Sequence, residues 1–231
     1  MKKFLIVLCA SLLCFLSTED SGAVLVNFDG IVDYTVLGAG DIVPVPGSVI
    51  TNNFMGDGVI FGEAGQSAGV AVIRDSLAPS SGLNSVTGLD ASGLIPGTAV
   101  GGGLGDIYFS FVLPGTSTPG ITDFVSFTIG DDGGMDTDIF QIRAYDINDI
   151  LISTQDLSNV SRFLASINVA GMNRVVVEFV GPYGYSLDDL NFNTPTLAPD
   201  GIPDGVPEPA TMLLLGSGLL GLWGARKKFK K

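Results

Sequence analysis

The middle of this 231-residue chain consists of short runs in which apolar and polar residues alternate. Within residues 123–129, for example, Val125 and Phe127 fall on one side and Ser126 falls on the other. A period of two residues is typical of a β-strand with one buried face. The pattern predicts strands over these runs: Val24–Phe28, Ile31–Val36, Gly58–Gly62, Gly69–Ile73, Ile107–Val112, Asp123–Ile129, Phe140–Ile147, Leu151–Thr154, Leu164–Val169, Arg174–Val180 and Tyr185–Phe192.

Turn-forming residues separate these runs, and no segment shows convincing helical periodicity. The chain contains 32 glycines and 12 prolines, which supply turn conformations together with Asn and Asp. Parallel strands would need crossover connections, usually helices, and the sequence offers none. We therefore expect an all-β fold, a two-sheet antiparallel β-sandwich over residues 24–194. The interval from Arg74 to Gly105 has little patterning and predicts a long loop, either a binding loop or a mobile insertion.

The N-terminus has the three parts of a secretory signal peptide. Residues 1–3 are basic at two positions, residues 4–16 are apolar, and residues 21–23 are small. These features predict a signal peptide over residues 1–23, recognised by the Sec export machinery and removed by signal peptidase. Both cysteines, Cys9 and Cys14, lie within it, so the exported domain contains no disulfide.

The C-terminus combines three features in a fixed order. A Pro/Gly/Asp-rich linker over residues 195–205 leads into Val206, Pro207, Glu208 and Pro209, and an apolar segment over 210–225 and a basic tail over 226–231 follow. The apolar stretch 210–224 would be about 22 Å long as a helix, against a hydrocarbon core of about 30 Å. It predicts a short transmembrane helix whose basic tail stays in the cytoplasm.

This arrangement resembles the PEP-CTERM sorting signal of bacterial surface proteins that are processed by exosortase. The resemblance implies export, transient retention in the inner membrane and cleavage near the motif. It also implies a final position at the cell surface or in the extracellular matrix of a Gram-negative-type bacterium. Basic residues retained at both termini place residues 24–205 outside the cytoplasm. The alternative is a permanent tail anchor.

Removal of both terminal segments would leave a strongly acidic domain. Residues 24–205 contain 21 acidic residues, four arginines and no lysine, a net formal charge of −17. Such a surface repels nucleic acid and anionic membranes, and it attracts divalent cations. Nucleic acid is therefore excluded as a partner.

The composition also excludes most catalytic chemistry. The chain has no histidine, and no cysteine outside the signal peptide, which removes His-dependent triads, thiol nucleophiles and most zinc sites. Paired carboxylates could still hydrolyse glycosides. The domain has two glutamates, Glu63 and Glu178, and the place of Glu178 in a strand favours a solvent-facing residue over a buried acid. We therefore expect no catalytic residues, with an enzyme that uses acidic residues alone as the alternative.

Two sets of acidic residues are candidates for calcium, which binds six to eight oxygen ligands. The first lies in a glycine-rich loop and comprises Asp131, Asp132, Asp136 and Asp138. The second would join the first strand to the last and comprises Asp29 with Asp188 or Asp189. Since Asp and Gly are also common in ordinary turns, solvated turns are the alternative for both sets.

A second resemblance covers the domain itself. The start Val26–Asp29, the middle Gln141–Asp146 and the end Tyr185–Phe192 are similar to jelly-roll sandwiches of the carbohydrate-binding-module type. The resemblance implies that the first and last strands are neighbours. It also implies that an acidic residue of the last strand joins a structural calcium site.

A glycan-binding face needs displayed aromatic rings, because the C–H faces of sugars stack on aromatic planes. Tyr183 and Tyr185 flank a glycine in a predicted turn and are the candidate glycan-binding residues. Tyr108 and Tyr145 lie within predicted strands, so we expect them in the core or at its rim. Ordinary packing is the alternative for the first pair.

These features predict an exported, acidic β-sandwich that acts at the cell surface or in the polysaccharide matrix of a biofilm. The expected role is non-enzymatic adhesion or polysaccharide binding. Two alternatives stay open, a carbohydrate-active enzyme that uses only acidic residues and a structural coat protein with no specific ligand.

Overall fold

The computed structural model describes residues 22–37, 40–74, 81–82, 84–99, 102–103, 105–130, 137–159, 161–180 and 185–199. These residues form antiparallel strands and a single turn of 3₁₀ helix at Pro46–Ser48. The strands are β1 (Ala23–Val26), β2 (Val49–Ile50), β3 (Val59–Phe61), β4 (Val70–Arg74), β5 (Asn84–Gly88), β6 (Thr98–Ala99), β7 (Gly102–Gly103), β8 (Ile107–Phe111), β9 (Thr122–Gly130), β10 (Asp138–Tyr145), β11 (Leu151–Asn159), β12 (Phe163–Met172), β13 (Arg174–Phe179) and β14 (Ser186–Asn193).

The strands form two main sheets, which confirms the predicted all-β, two-sheet antiparallel fold. The seven-stranded sheet has the order β12-β9-β14-β5-β4-β2, with β1 paired to β14. The five-stranded sheet has the order β11-β10-β13-β8-β3, and β6 and β7 form a separate ribbon. Apart from β4–β5, β6–β7 and β10–β11, the paired strands are not consecutive in sequence, so the fold depends largely on long-range pairing.

Aromatic side chains fill the space between the two sheets. Phe109 on β8 meets Phe127 on β9 edge to face, with ring centroids 6.1 Å apart. Phe111 on β8 lies 5.1 Å from Phe192 on β14. All four rings are fully buried. Because each pair joins one sheet to the other, these rings form the hydrophobic contact that holds the sandwich together.

The first and last strands are neighbours, as the resemblance to jelly-roll sandwiches implies. β1 pairs with β14 in antiparallel register, from Ala23 opposite Asn193 to Val26 opposite Leu190. Beyond β14, Thr196 exchanges two backbone hydrogen bonds with Ile121. The chain divides into two compact units, residues 1–196 and 197–231. The first unit has its own core, which is what a segment needs to fold independently.

The interval from Arg74 to Gly105 is not simply a loop, because it contains β5 in the interior of the seven-stranded sheet. Within Asn84–Gly88 only Val86 has an apolar side chain, so the segment lacks the apolar–polar alternation that predicts a strand. All five residues are nevertheless buried. A second apolar cluster, Ala71, Ile73, Leu89 and Ile95, covers the outer side of this part of the sheet, so both faces of β5 are enclosed.

The predicted strand at 31–36 is wrong. Thr35 forms a single parallel bridge to Ile73, and no strand runs through this segment. Val32 and Val36 are 87% and 75% exposed. Their β-branched side chains have the local preference for a strand, but the segment lacks a partner along its length, and strand propensity depends on such pairing.

Candidate functional site

The five-stranded sheet turns one face to the core and the other face outward. Along β8, Ile107 and Phe109 are buried, whereas Tyr108 between them is half-buried on the opposite side. The same alternation on β10 and β13 places polar and aromatic side chains beside Tyr108. We call this set the outer face, and it comprises Tyr108, Gln141, Arg143, Tyr145, Arg174 and Glu178.

A ladder of side-chain hydrogen bonds crosses the outer face from β11 to β13. The Gln141 amide donates to Asp156 Oδ1 at 2.8 Å, and Arg143 Nε donates to Gln141 Oε1 at 2.6 Å. Arg143 then forms an ion pair with Glu178, whose side chain is 35% exposed. The exposure of Glu178 agrees with the solvent-facing interpretation. The ladder holds planar amide and guanidinium groups in fixed orientations, since each is restrained by its neighbour.

Arg174 organises the other end of the outer face. It forms ion pairs with Glu63 and with Asp149, the latter with Nη2 and Oδ1 3.1 Å apart. Its guanidinium carbon lies 4.3 Å from the centroid of the Tyr145 ring, a cation–π contact. The arginine side chain is only 14% exposed, so it is held as a rigid platform next to the tyrosine.

Asp106 and Glu178 form a like-charge pair at the edge of the outer face. β8 and β13 pair with Ile107 opposite Val177, so the next residues, Asp106 and Glu178, lie opposite each other. Asp106 Oδ1 accepts a hydrogen bond from Phe179 N at 3.2 Å. Burial, and to a smaller extent the Glu178 charge, raises the pKa of Asp106, although the Phe179 hydrogen bond and Arg143 oppose the change. The negative potential also contributes to a raised pKa of Tyr108, for which burial is the main cause.

Asp106→Asn is expected to stabilise the domain at neutral pH. A raised pKa in the folded state means that folding disfavours the ionised carboxylate, so the cost is present above the folded-state pKa. The cost disappears below the unfolded-state value of about 4, where both states are protonated. Thermal unfolding between pH 3 and pH 7 should therefore show a higher Tm for the variant at pH 7, and the difference should vanish at the acid end.

An asparagine at position 106 can still accept the hydrogen bond from Phe179 N. The variant therefore differs from the wild type mainly in the charge at this position. The matched control is Asp123→Asn, because Asp123 is exposed on β9 in the other sheet. A lower Tm for Asp106→Asn at pH 7, or a gain that does not change with pH, would contradict the prediction.

The second predicted acidic set does come together in space. Asp188 Oδ2 accepts a hydrogen bond from Ser81 N at 3.1 Å, and Ser81 Oγ donates to Asp189 Oδ1 at 2.7 Å. Asp29 Oδ2 lies 3.3 Å from the same Ser81 hydroxyl. A register shift in the β14–β9 pairing, with Asp189 at φ 50°, directs these side chains toward Ser81.

Gly82 completes this carboxylate cluster by leaving room for Asp29. A Cβ atom at position 82 would lie 1.8 Å from Asp29 Oδ1, and the backbone has φ +45°. Glycine is therefore required there. Asn84 N also donates to Asp29 Oδ1, at 3.3 Å. Hydrogen bonds from Ser81 and Asn84 to these carboxylates therefore link the start of β5 and the residues before it to the turn after β1 and to β14.

The calcium hypothesis stays a prediction. Within the described residues, no group of three or more His, Cys, Asp or Glu side chains is arranged to hold a metal ion. The first candidate set falls largely elsewhere, because Asp131, Asp132 and Asp136 and the side chain of Asp138 lie outside the described residues. In the second set, Ser81 donates hydrogen bonds to Asp29, Asp188 and Asp189, and Asn84 N donates one to Asp29. Each of the three carboxylates therefore already accepts a hydrogen bond from the protein.

Tyr185 is not displayed in a turn, contrary to the expectation for a glycan-binding residue. Its ring is fully buried and stacks on Phe179, with centroids 4.9 Å apart. Its hydroxyl donates to the carbonyl oxygens of Gly105, at 2.8 Å, and Val177, at 3.2 Å. Two backbone acceptors make burial of the hydroxyl favourable. Tyr183 lies outside the described residues.

Sequence reasoning missed the outer face as a site. Tyr108 and Tyr145 were expected in the core or at its rim, yet both are half-buried on the outward side of the five-stranded sheet. The alternation along the strand did indicate that Tyr108 points outward, because its neighbours Ile107 and Phe109 both point into the core. Which outward residues of different strands become neighbours is not readable from the alternation alone.

A concavity lies beside the cluster formed by Asp29, Asp188 and Asp189. It has a volume of about 380 Å³ and is lined by Asp29, Ile31, Val32, Tyr34, Arg74, Gly82 and Asn84. The Arg74 guanidinium carbon lies 5.5 Å from the centroid of the Tyr34 ring. This concavity has one aromatic ring in its lining, that of Tyr34. The outer face carries two rings, those of Tyr108 and Tyr145, together with several restrained planar polar groups.

Comparison with known proteins identifies the C-terminal segment. Residues 205–228 match the PEP-CTERM protein-sorting motif. The chain carries a PEP-CTERM sorting motif. Such a motif indicates an exported protein that is sorted to the cell envelope or surface. The predicted signal peptide through Ser21 and the predicted transmembrane segment lie outside the described residues, and among the residues that are described no helix could cross a membrane.

The solved structures to which this chain is similar include carbohydrate-binding domains. A xylan-binding CBM22 domain from Paenibacillus barcinonensis aligns with a TM-score of 0.34 and 13% identity, covering 69% of this chain and 99% of that one. A family 11 carbohydrate-binding module from Clostridium thermocellum, bound to a β-1,3-1,4-mixed-linked tetrasaccharide, aligns with a TM-score of 0.28 and 13% identity, covering 68% and 96%. No curated protein sequence matches the chain significantly.

Proposed function

We propose that this is an exported surface or extracellular-matrix protein, released from a membrane intermediate by exosortase, whose β-sandwich binds polysaccharide without catalysis. The sorting motif supports the route to the surface. The outer face supports the binding activity. Adhesion within a polysaccharide matrix or biofilm is the role in which these two features would work together.

The observation that carries the binding proposal is the set of restrained planar groups on the outer face. Tyr145 is stacked with Arg174, and Gln141 and Arg143 are fixed in a hydrogen-bonded ladder. Sugars present C–H surfaces that pack on aromatic planes and hydroxyls that exchange hydrogen bonds with amides, guanidinium groups and carboxylates. Groups that are already held in place lose little conformational freedom when a ligand binds.

Tyr108→Ala and Tyr145→Ala are each expected to weaken glycan binding at least about fivefold, because an aromatic contact contributes about 1 kcal/mol or more. The measurement is affinity electrophoresis of residues 22–196 against a panel of neutral polysaccharides, followed by calorimetry with the strongest ligand. Tyr34→Ala is the matched control, since Tyr34 lies beside Arg74 and away from the outer face. Unchanged binding by both outer-face variants, or equal loss in the control, would contradict the proposal.

A second candidate function is glycan hydrolysis by Asp106 and Glu178. The observation that favours it is a carboxyl group of raised pKa, Asp106, beside a second carboxyl group, Glu178, that forms an ion pair with Arg143. Acid–base pairs in glycosidases show this division of roles. Release of reducing sugar from a bound glycan, abolished in Glu178→Gln, would identify an enzyme. Binding without release supports the non-enzymatic function, and neither binding nor release would leave a structural coat protein.

A further inference from the structure

The outer face has more negative than positive charge, and its positive groups are already engaged. Five carboxylates border it, from Glu63, Asp106, Asp149, Asp156 and Glu178. Two guanidinium groups oppose them, which gives the face a net formal charge of −3. Arg143 is paired with Glu178, and Arg174 is paired with Glu63 and Asp149.

We infer that the outer face selects uncharged glycans and rejects anionic ones, and that Asp106 and Glu178 are the residues that discriminate. The inference rests on the proposed function, because it assigns a ligand class to the same face. An incoming uronate or sulfate would have to displace an internal carboxylate to reach either arginine. No lysine occurs in residues 24–205, and the two other arginines of this stretch belong to the seven-stranded sheet, Arg74 in β4 and Arg162 directly before β12.

Repulsion at this face is a local effect and not only a result of the acidic surface. Asp106 and Glu178 lie directly beside the Ile107–Val177 pair, which adjoins the pair formed by Tyr108 and Val176. The groups are half-buried, where charge–charge interactions are screened less than at an open surface. Like-charge juxtaposition is a common way for a binding site to exclude wrong partners. Burial is the main cause of the raised pKa values of Asp106 and Tyr108, and the charges of neighbouring carboxylates add to both.

The test compares a neutral glucan that binds residues 22–196 with the same glucan oxidised at C6, so that the two polymers differ only in a neutral CH2OH or an anionic carboxylate at that position. The wild-type domain should bind the neutral polymer at least about tenfold more tightly at 0.15 M salt, and the ratio should shrink at 1 M salt, where the screening length is about 3 Å. Asp106→Asn and Glu178→Gln should each reduce the ratio of neutral-polymer affinity to oxidised-polymer affinity about three- to tenfold.

Asp123→Asn is the control for net charge, because it removes the same charge from the other sheet, and it should leave the ratio unchanged. Equal or tighter binding of the oxidised glucan by the wild type would overturn the inference while the proposed function stands. An equal narrowing in the control would also overturn it, because the exclusion would then come from total charge. Binding of neither a neutral nor an oxidised glycan would remove the proposed function, and this inference with it.

Discussion

Replacement of Pro207, Glu208 and Pro209 with alanine is expected to abolish C-terminal processing and leave the protein in the membrane fraction. These residues fall inside the PEP-CTERM match at 205–228. Proline has a fixed φ and no N–H donor, and it disfavours helical backbone at the preceding residue, so we expect the motif to stay outside the transmembrane helix predicted after it. A processing enzyme at the membrane surface requires such an accessible, extended segment.

The measurement is an immunoblot of membrane and medium fractions, with the mass of the released chain determined by mass spectrometry. Pro203→Ala is the matched control, because it removes a proline from the linker and leaves the motif intact. We expect the control to be processed normally. Normal release of the triple-alanine protein would show that the motif does not direct processing in this chain.

Phe109→Ala is expected to lower the free energy of unfolding by about 3–5 kcal/mol. Phe109 is fully buried, and its ring lies 6.0 Å from Phe61, 5.9 Å from Phe111 and 6.1 Å from Phe127. Its truncation removes apolar contacts within the five-stranded sheet and across to the seven-stranded sheet. Since domains are usually stable by about 5–15 kcal/mol, the loss would be a large part of the total.

Urea denaturation of residues 22–196, followed by circular dichroism, measures this loss. Phe124→Ala is the control, because Phe124 is only half-buried on β9. We expect a clearly smaller effect there. A loss below about 1 kcal/mol for Phe109→Ala, or similar losses in both variants, would show that the ring does not hold the two sheets together.

Several strands were predictable because their alternation is unambiguous. The run 107–112 corresponds to β8 at Ile107–Phe111, and the run 174–180 corresponds to β13 at Arg174–Phe179. β5 was not predictable, since its Ser85 and Thr87 are polar although fully buried. Such burial depends on a second apolar cluster formed by residues before and after the strand in sequence. The residue pattern within β5 does not reveal that this cluster buries its outer side.

The candidate site was less predictable than the fold. Asp29, Asp188 and Asp189 were predicted as one calcium-binding set, and the structure brings their carboxylates together at Ser81, while calcium binding itself stays a prediction. Tyr185 was assigned to the surface because of its neighbouring glycine, whereas the carbonyl groups of Gly105 and Val177 satisfy its hydroxyl in the core. Those acceptors lie just before β8 and within β13, so their presence could not be inferred locally.

The sequence by itself determined the C-terminal sorting motif, the all-β class and the exclusion of histidine and cysteine chemistry. Each of these is a property of composition or of local order, such as the two-residue period of a strand. Only the tertiary structure decided the strand order and the composition of the outer face. Arg174 meets Glu63 across 111 positions of the chain. Such contacts depend on which strands pair and in which register, and that is determined by burial of the two sheets against each other.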